Sequence, residues 1–269
     1  MSDPSTLARS RKARAGRELL CERVYRPLAH IVVTALLPLR VPPTAVAASA
    51  GATGVAAAVV LGRGELLLAA VLMQAKTVLD NADGQLARLS GRVTAFGRYL
   101  DSELDLLVDA ALFAAVGWTT GRWLLPALGF AALTAVLSVN FNVERLYRAE
   151  RGGDAAAMPE TLTRPAAALR RVYALLYAPQ DRLVERFVDR RLDGAPRELR
   201  LAYHDRATVV ALANLGLSTQ LAVFGLCLAL GHPLAFAWVA LAEVALVVLL
   251  ALRRELLVRT APRLKEEAL

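Results

Sequence analysis

The 269-residue chain is poor in cysteine, histidine and aromatic residues, with two Cys, three His and 6% Phe, Trp and Tyr together. Cys21 lies on a charged flank and Cys227 inside an apolar run, an arrangement that speaks against a structural disulfide. His30, His204 and His232 have no spacing suited to a shared metal. The N-terminus has no early apolar segment followed by a small-residue cleavage site, so no cleavable signal peptide is expected. There is no internal repeat, and no low-complexity tract beyond richness in alanine.

What the chain does have is apolar length. Hydrophobic residues make up 56% of it and the mean hydropathy is +0.44. Apolar runs follow one another closely from Val41 to Leu252, and about 20 helical residues cross a hydrocarbon core of roughly 30 Å. The expected fold is an all-α integral membrane protein. Six transmembrane helices are placed at about 44–62, 66–88, 95–120, 122–148, 207–231 and 233–254. An interfacial amphipathic helix over about 20–40 precedes them and stops at the Val41-Pro42-Pro43 breaker. Three segments follow: an N-terminal region 1–43, a catalytic bundle 44–254 with an insertion at about 151–206, and a tail 255–269. Within the insertion, Leu183, Val184, Phe187 and Val188 recur at helical spacing among arginines, which predicts a surface-lying amphipathic helix.

The net charge of +8 has a topological explanation. With these helices, 29 of the 32 Lys and Arg residues fall on one side; Arg63 and Arg122 fall on the other, and Lys76 within a helix. That asymmetry predicts both termini and the insertion on the cytoplasmic side of the plasma (inner) membrane, and it removes the need for a nucleic-acid partner.

Against this apolar background, Asp80, Asp83, Asp101 and Asp105 stand close together. An isolated carboxylate inside a membrane helix costs several kcal/mol, so such residues mark functional sites. Spacings of three and four residues put each pair on one face of its helix. The short turn around Ser90-Gly91-Arg92 is expected to make the two helices antiparallel neighbours, with the four carboxylates converging near the cytoplasmic end. Hard divalent cations suit this donor set, and two ions could clamp a diphosphate. Gly84, Ala87 and Gly97 leave room for a ligand, and Arg88 offers a cationic fork. The competing explanation is an ion-paired packing network involving Lys76 and Arg98. Asp109 extends the stripe more deeply as a supporting or ion-paired residue.

Read together, Asp80-x2-Asp83-Gly84-x2-Ala87-Arg88-x8-Gly97-x3-Asp101-x3-Asp105 resembles, without a gap, the signature of the CDP-alcohol phosphotransferase (phosphatidyltransferase) family of membrane enzymes in phospholipid biosynthesis. The resemblance implies transfer of a substituted phosphate from a CDP-alcohol donor to the hydroxyl of an acceptor alcohol, with release of CMP. It also implies Mg²⁺ or Mn²⁺, as two ions, on Asp80, Asp83, Asp101 and Asp105, with Asp105 doubling as general base. Gly84, Ala87, Arg88 and Gly97 would surround the CDP moiety, and the enzyme would be a homodimer. The sequence departs from the family pattern where Pro-Asn-x-x-Thr often opens the first spanning helix, since here Pro42-Pro43-Thr44-Ala45-Val46 stands. Leu106 also replaces an Arg that often follows the last Asp.

Arg145 and Arg148, one helical turn apart, are candidates to receive an acceptor phosphate. With that role the donor is CDP-diacylglycerol and the acceptor a small polar alcohol or alcohol phosphate. The converse, a CDP-linked headgroup with a lipid alcohol acceptor, stays open. Two rivals are a UbiA-type prenyltransferase, which separates its Asp motifs much further, and a divalent-cation transporter, which would carry polar groups across to the far side.

Overall fold

A computed structural model describes residues 14–152 and 164–260. Residues 1–13, 153–163 and 261–269, expected above to be cytoplasmic, lie outside the described residues. Apart from turns and loops, every described element is helical. A π-helical turn, Cys21–Tyr25, runs into α1 (Arg26–Leu36), followed by α2 (Pro43–Gly62), α3 (Leu66–Leu89), α4 (Ala95–Thr120) and α5 (Leu124–Glu150). The insertion contributes α6 (Arg164–Leu176), α7 (Ala178–Leu192) and α8 (Arg197–Tyr203). The chain ends in α9 (Arg206–Ala213), α10 (Leu217–Ala229) and α11 (Ala235–Thr260).

Boundaries follow local chemistry. Pro43 opens α2 at a position where no backbone N–H is needed. Gly91 and Gly121 have φ of 66° and 65°, left-handed conformations that end α3 and α4 at little steric cost. Thr94 caps α4 by accepting a hydrogen bond from Gly97 N at 3.1 Å.

The expected fifth spanning helix is broken. Asn214-Leu215-Gly216 separates α9 from α10, and the N-terminal segment packs against this break. Leu19 N donates to Asn214 Oδ1 at 3.0 Å, and Thr219 N and Oγ1 donate to Glu18 Oε1 at 2.6 and 2.8 Å. The carboxyl thus satisfies donors that the first turn of α10 leaves open. A Cβ on Gly216 would lie 2.5 Å from Glu18 Oε2, so a side chain there would displace the carboxyl.

Four stretches are long and apolar enough to cross a bilayer: Pro43–Gly62, Leu124–Glu150, Arg197–Ala229 taken together, and Ala235–Arg259. This is an integral membrane protein. With 24 and 26 residues, α3 and α4 have the length but carry Lys76, Asp80 and Asp83, or Asp101, Asp105 and Asp109, in their spans. Trp118, Trp123 and Trp238, all exposed, sit at the end of α4, the start of α5 and the start of α11. Amphipathic indole rings favour the membrane–water boundary, and these three mark the end of the bundle opposite the aspartates.

α3 and α4 are not the close neighbours that their short connection suggests. Instead α2 packs against both. Its small residues allow this: a Cβ on Gly51 would meet Leu104 at 2.9 Å, and one on Gly54 would meet Val108 at 2.6 Å. In lipid, such close packing, rather than exclusion of water, holds helices together. The wedge holds two acidic helices apart while their side chains meet across the gap. Beyond the acids, Leu112, Phe113, Val116, Leu221, Phe224 and Phe236 form the main core, with Phe224 and Phe236 stacked at 4.5 Å. The N-terminal helix is shorter than expected and buries Ala29 and Val33 against Ala82 and Leu86 of α3.

Candidate active site

Asp80 and Asp83 lie one turn apart on α3, and Asp101 and Asp105 one turn apart on α4. Carboxylate oxygens of Asp80, Asp101 and Asp105 come within 4.8 Å of one another. Asp83 stands outside that trio. It is buried, and its Oδ2 has no hydrogen-bond partner among the described residues. Three converging carboxylates with a fourth orphaned acceptor one turn away form an all-oxygen donor set, which suits Mg²⁺ or Mn²⁺.

Lys76 is the residue whose importance the sequence understated. It is 2% exposed, and its Nζ donates to Asp80 Oδ1 at 3.2 Å and also to Asp105 Oδ1. This ammonium supplies one positive charge to a cluster that would otherwise repel itself. Arg98, the other expected counter-ion, is exposed. Asp109, one turn below Asp105, is buried as the stripe implied.

The small residues have concrete neighbours. A Cβ on Gly84 would lie 3.2 Å from one terminal nitrogen of Arg88 and 3.3 Å from the other, so the guanidinium lies against bare backbone. At Gly97 a Cβ would approach Thr94 Oγ1 at 3.2 Å and the Thr44 methyl at 3.8 Å. Thr44, from the departed Pro-Pro-Thr segment, therefore borders the same region. Ala87 is half-buried on α3 beside Arg88.

On the other side of Asp105 lies a cavity of about 190 Å³. Asp105 and Asp109 of α4 and Ser138 of α5 line it, together with Tyr177 and Asp181 from the insertion. Tyr177 OH donates to Ser102 O at 3.2 Å, and Asn142 Nδ2 donates to Asp181 Oδ1 at 2.7 Å. Sequence reasoning missed this wall, because contacts between residues 39 or more positions apart leave no local signal. Arg145 is not at the cavity. It donates to Asn142 Oδ1 at 3.0 Å and is paired with Glu185 of α7 at 2.6 Å. Arg148, the second candidate for an acceptor phosphate, is half-buried on the next turn of α5 and is likewise absent from the lining.

Residues 40–183, which contain every member of the acidic cluster, match the sequence model described as CDP-alcohol phosphatidyltransferase. The chain belongs to the CDP-alcohol phosphatidyltransferase family. Among relatives, a phosphatidylinositol phosphate synthase of Corynebacterium glutamicum is 37% identical over 35% of this chain and 42% of its own length. An archaetidylinositol phosphate synthase of Methanothermobacter thermautotrophicus is 34% identical over 45% of this chain and 54% of its own. A bifunctional IPC transferase and DIPP synthase of Aquifex aeolicus is 36% identical over 35% of this chain and 22% of its own. The chain thus spans about half or less of the length of these relatives. Family membership rests on the stretch that builds the two aspartate-bearing helices.

Proposed function

We propose that the protein transfers a substituted phosphate from a CDP-alcohol to the hydroxyl of an acceptor alcohol, releasing CMP. The observation that carries this reading is the convergence of Asp80, Asp101 and Asp105 within 4.8 Å, at the positions of the family signature. Names of the relatives, which place phosphatidyl and archaetidyl groups on inositol phosphate, favour a lipid-bearing donor, CDP-diacylglycerol.

In this account Asp80, Asp101 and Asp105 hold the metal, with Asp83 as the fourth ligand. Mg²⁺ or Mn²⁺, when bound, neutralises the diphosphate and stabilises the charge that develops on the departing phosphate. Arg88, lying over Gly84, and the half-buried Ala87 and Gly97 receive the CDP moiety. Asp105 takes the proton of the acceptor hydroxyl as its oxygen attacks the β-phosphorus. The bond from that phosphorus to the bridging oxygen breaks, and CMP leaves with the electron pair. Lys76 fixes the Asp105 carboxylate through Oδ1, which holds the base in one orientation.

The site lies at the end of the bundle opposite the tryptophans. Together with the distribution of Lys and Arg, this favours six spans with the termini and active site cytoplasmic, where CDP-alcohols are accessible. A cation transporter is disfavoured because the side chains one and two turns beyond Asp109 on α4, Leu112 and Val116, are apolar and buried. The test is CMP release by purified protein from CDP-diacylglycerol with a panel of alcohols, with and without Mn²⁺. Metal-dependent CMP release supports the reading; Mn²⁺ flux into vesicles with no turnover defeats it.

A further inference from the structure

The cavity beside Asp105 is bounded by three carboxyl groups, those of Asp105, Asp109 and Asp181, and among the described residues no Lys or Arg lines it. Ser138, 9% exposed, faces it with a hydroxyl that has no hydrogen-bond partner among the described residues. The nearby arginine that could have received a phosphate is held elsewhere. Arg145 is paired with Glu185, and Asn142, 0% exposed, bridges Arg145 to Asp181 by hydrogen bonds of 3.0 and 2.7 Å. Two acidic residues of α7 therefore act on one substrate pocket: Asp181 adds a negative charge to its wall, and Glu185 withdraws a positive one.

We infer that this cavity receives the acceptor, and that Asp181 and Glu185 select an alcohol without a phosphate group. This rests on the transferase reading and names the substrate class for it. A polyol or amino alcohol offers hydroxyl or ammonium donors to Asp181 and a partner to the Ser138 hydroxyl. An alcohol phosphate would instead bring its charge against Asp181, while the countercharge of the metal is taken up by the diphosphate. The cavity, of about 190 Å³, has room for several waters and so for a small alcohol. In this respect the chain departs from the relatives named for inositol phosphate.

The experiment uses matched pairs: myo-inositol with inositol phosphate, glycerol with glycerol phosphate, and ethanolamine with phosphoethanolamine. CMP release from CDP-diacylglycerol with Mn²⁺ is measured alongside equilibrium binding by ligand-observed NMR in the same detergent. The expected result is at least tenfold higher kcat/KM, and tighter binding, for an unphosphorylated member. Preference for the phosphorylated member in either readout overturns the inference, as does binding of none of them. Preferential binding of a free alcohol with no CMP release from any pair defeats the transferase reading and leaves the pocket assignment standing. In the transferring enzyme, Glu185→Gln and Asp181→Asn are each expected to lower KM for the phosphorylated member at least tenfold relative to its partner. An equal fall in kcat for both members with an unchanged KM ratio would mark a purely structural role and overturn the selection.

Discussion

Lys76→Met separates the two explanations of the acidic cluster, packing network and metal cradle. Methionine keeps most of the apolar stem and removes the charge. Lys76 has 2% side-chain exposure, while Asp80 and Asp105 keep 21% and 19%. Breaking a fully buried pair costs roughly 3–5 kcal/mol; partial wetting of both carboxylates lowers the expected loss to about 2–4 kcal/mol. At about 2–4 °C per kcal/mol for a chain of this size, Tm in EDTA falls by about 5–15 °C. A divalent ion among Asp80, Asp101 and Asp105 replaces the missing charge, so saturating Mn²⁺ should recover at least about half of that loss. Thermal unfolding in detergent, with EDTA and with Mn²⁺, reads both numbers. An identical loss under the two conditions would refute the claim that Lys76 and the metal share one electrostatic site.

Asp105→Asn should reduce kcat by about 10²–10⁴-fold, the range for removing a general base, while CDP-lipid binding stays measurable; near-normal turnover would remove Asp105 from the mechanism. In Gly129→Ala the new Cβ would lie 2.8 Å from both Ala237 Cβ and Phe113 Cε1. Overpacking of about 1–3 kcal/mol exceeds the helix-propensity gain of about 0.5–1 kcal/mol, so Tm should fall by a few degrees with Mn²⁺ affinity unchanged, and a rise in Tm would contradict the packing. Burial raises the Glu18 carboxyl above its ordinary value of 4.5, against the hydrogen bonds from Thr219 that favour ionisation. The folded state then holds the proton more tightly than the unfolded one, so this group's contribution is full below 4.5 and declines as pH rises through the raised value. Glu18→Gln should remove that decline, seen as a smaller difference in Tm between acidic and neutral pH than in the wild type. An unchanged difference would show that Glu18 does not titrate in this window.

How much of this was legible beforehand depended on how local the cause was. The starts and ends of α2, α3 and α4 fell within two residues of expectation, because Pro43, Gly91 and Gly121 act through their own backbone. A helix over the apolar stripe of the insertion was also legible, although the stripe is divided, with Val188 buried and Leu183 and Phe187 exposed on α7. By contrast, the break at 214–216 is stabilised by Glu18, about two hundred residues away, and no local pattern announces it. Within the site, spacing identified the four aspartates, but side-chain direction decided that Asp83 stands apart from the trio. Lys76 is expected as a counter-ion from its place four residues before Asp80, but its bond to Asp105, 29 residues on, needs the two helices folded together. The cavity wall from Tyr177 and Asp181, and the capture of Arg145 by Glu185, likewise exist only once α6 and α7 are folded back on α4 and α5.

The central claim is that the acidic cluster directs attack at the β-phosphorus of a CDP-alcohol. Its most direct test is CDP-diacylglycerol radiolabelled separately at the α- and the β-phosphorus, incubated with purified protein, Mn²⁺ and an alcohol acceptor. The account predicts all β-label in a new phospholipid and all α-label in CMP, with neither product formed in EDTA. Release of β-label in a nucleotide, or transfer that persists without a divalent ion, would contradict it.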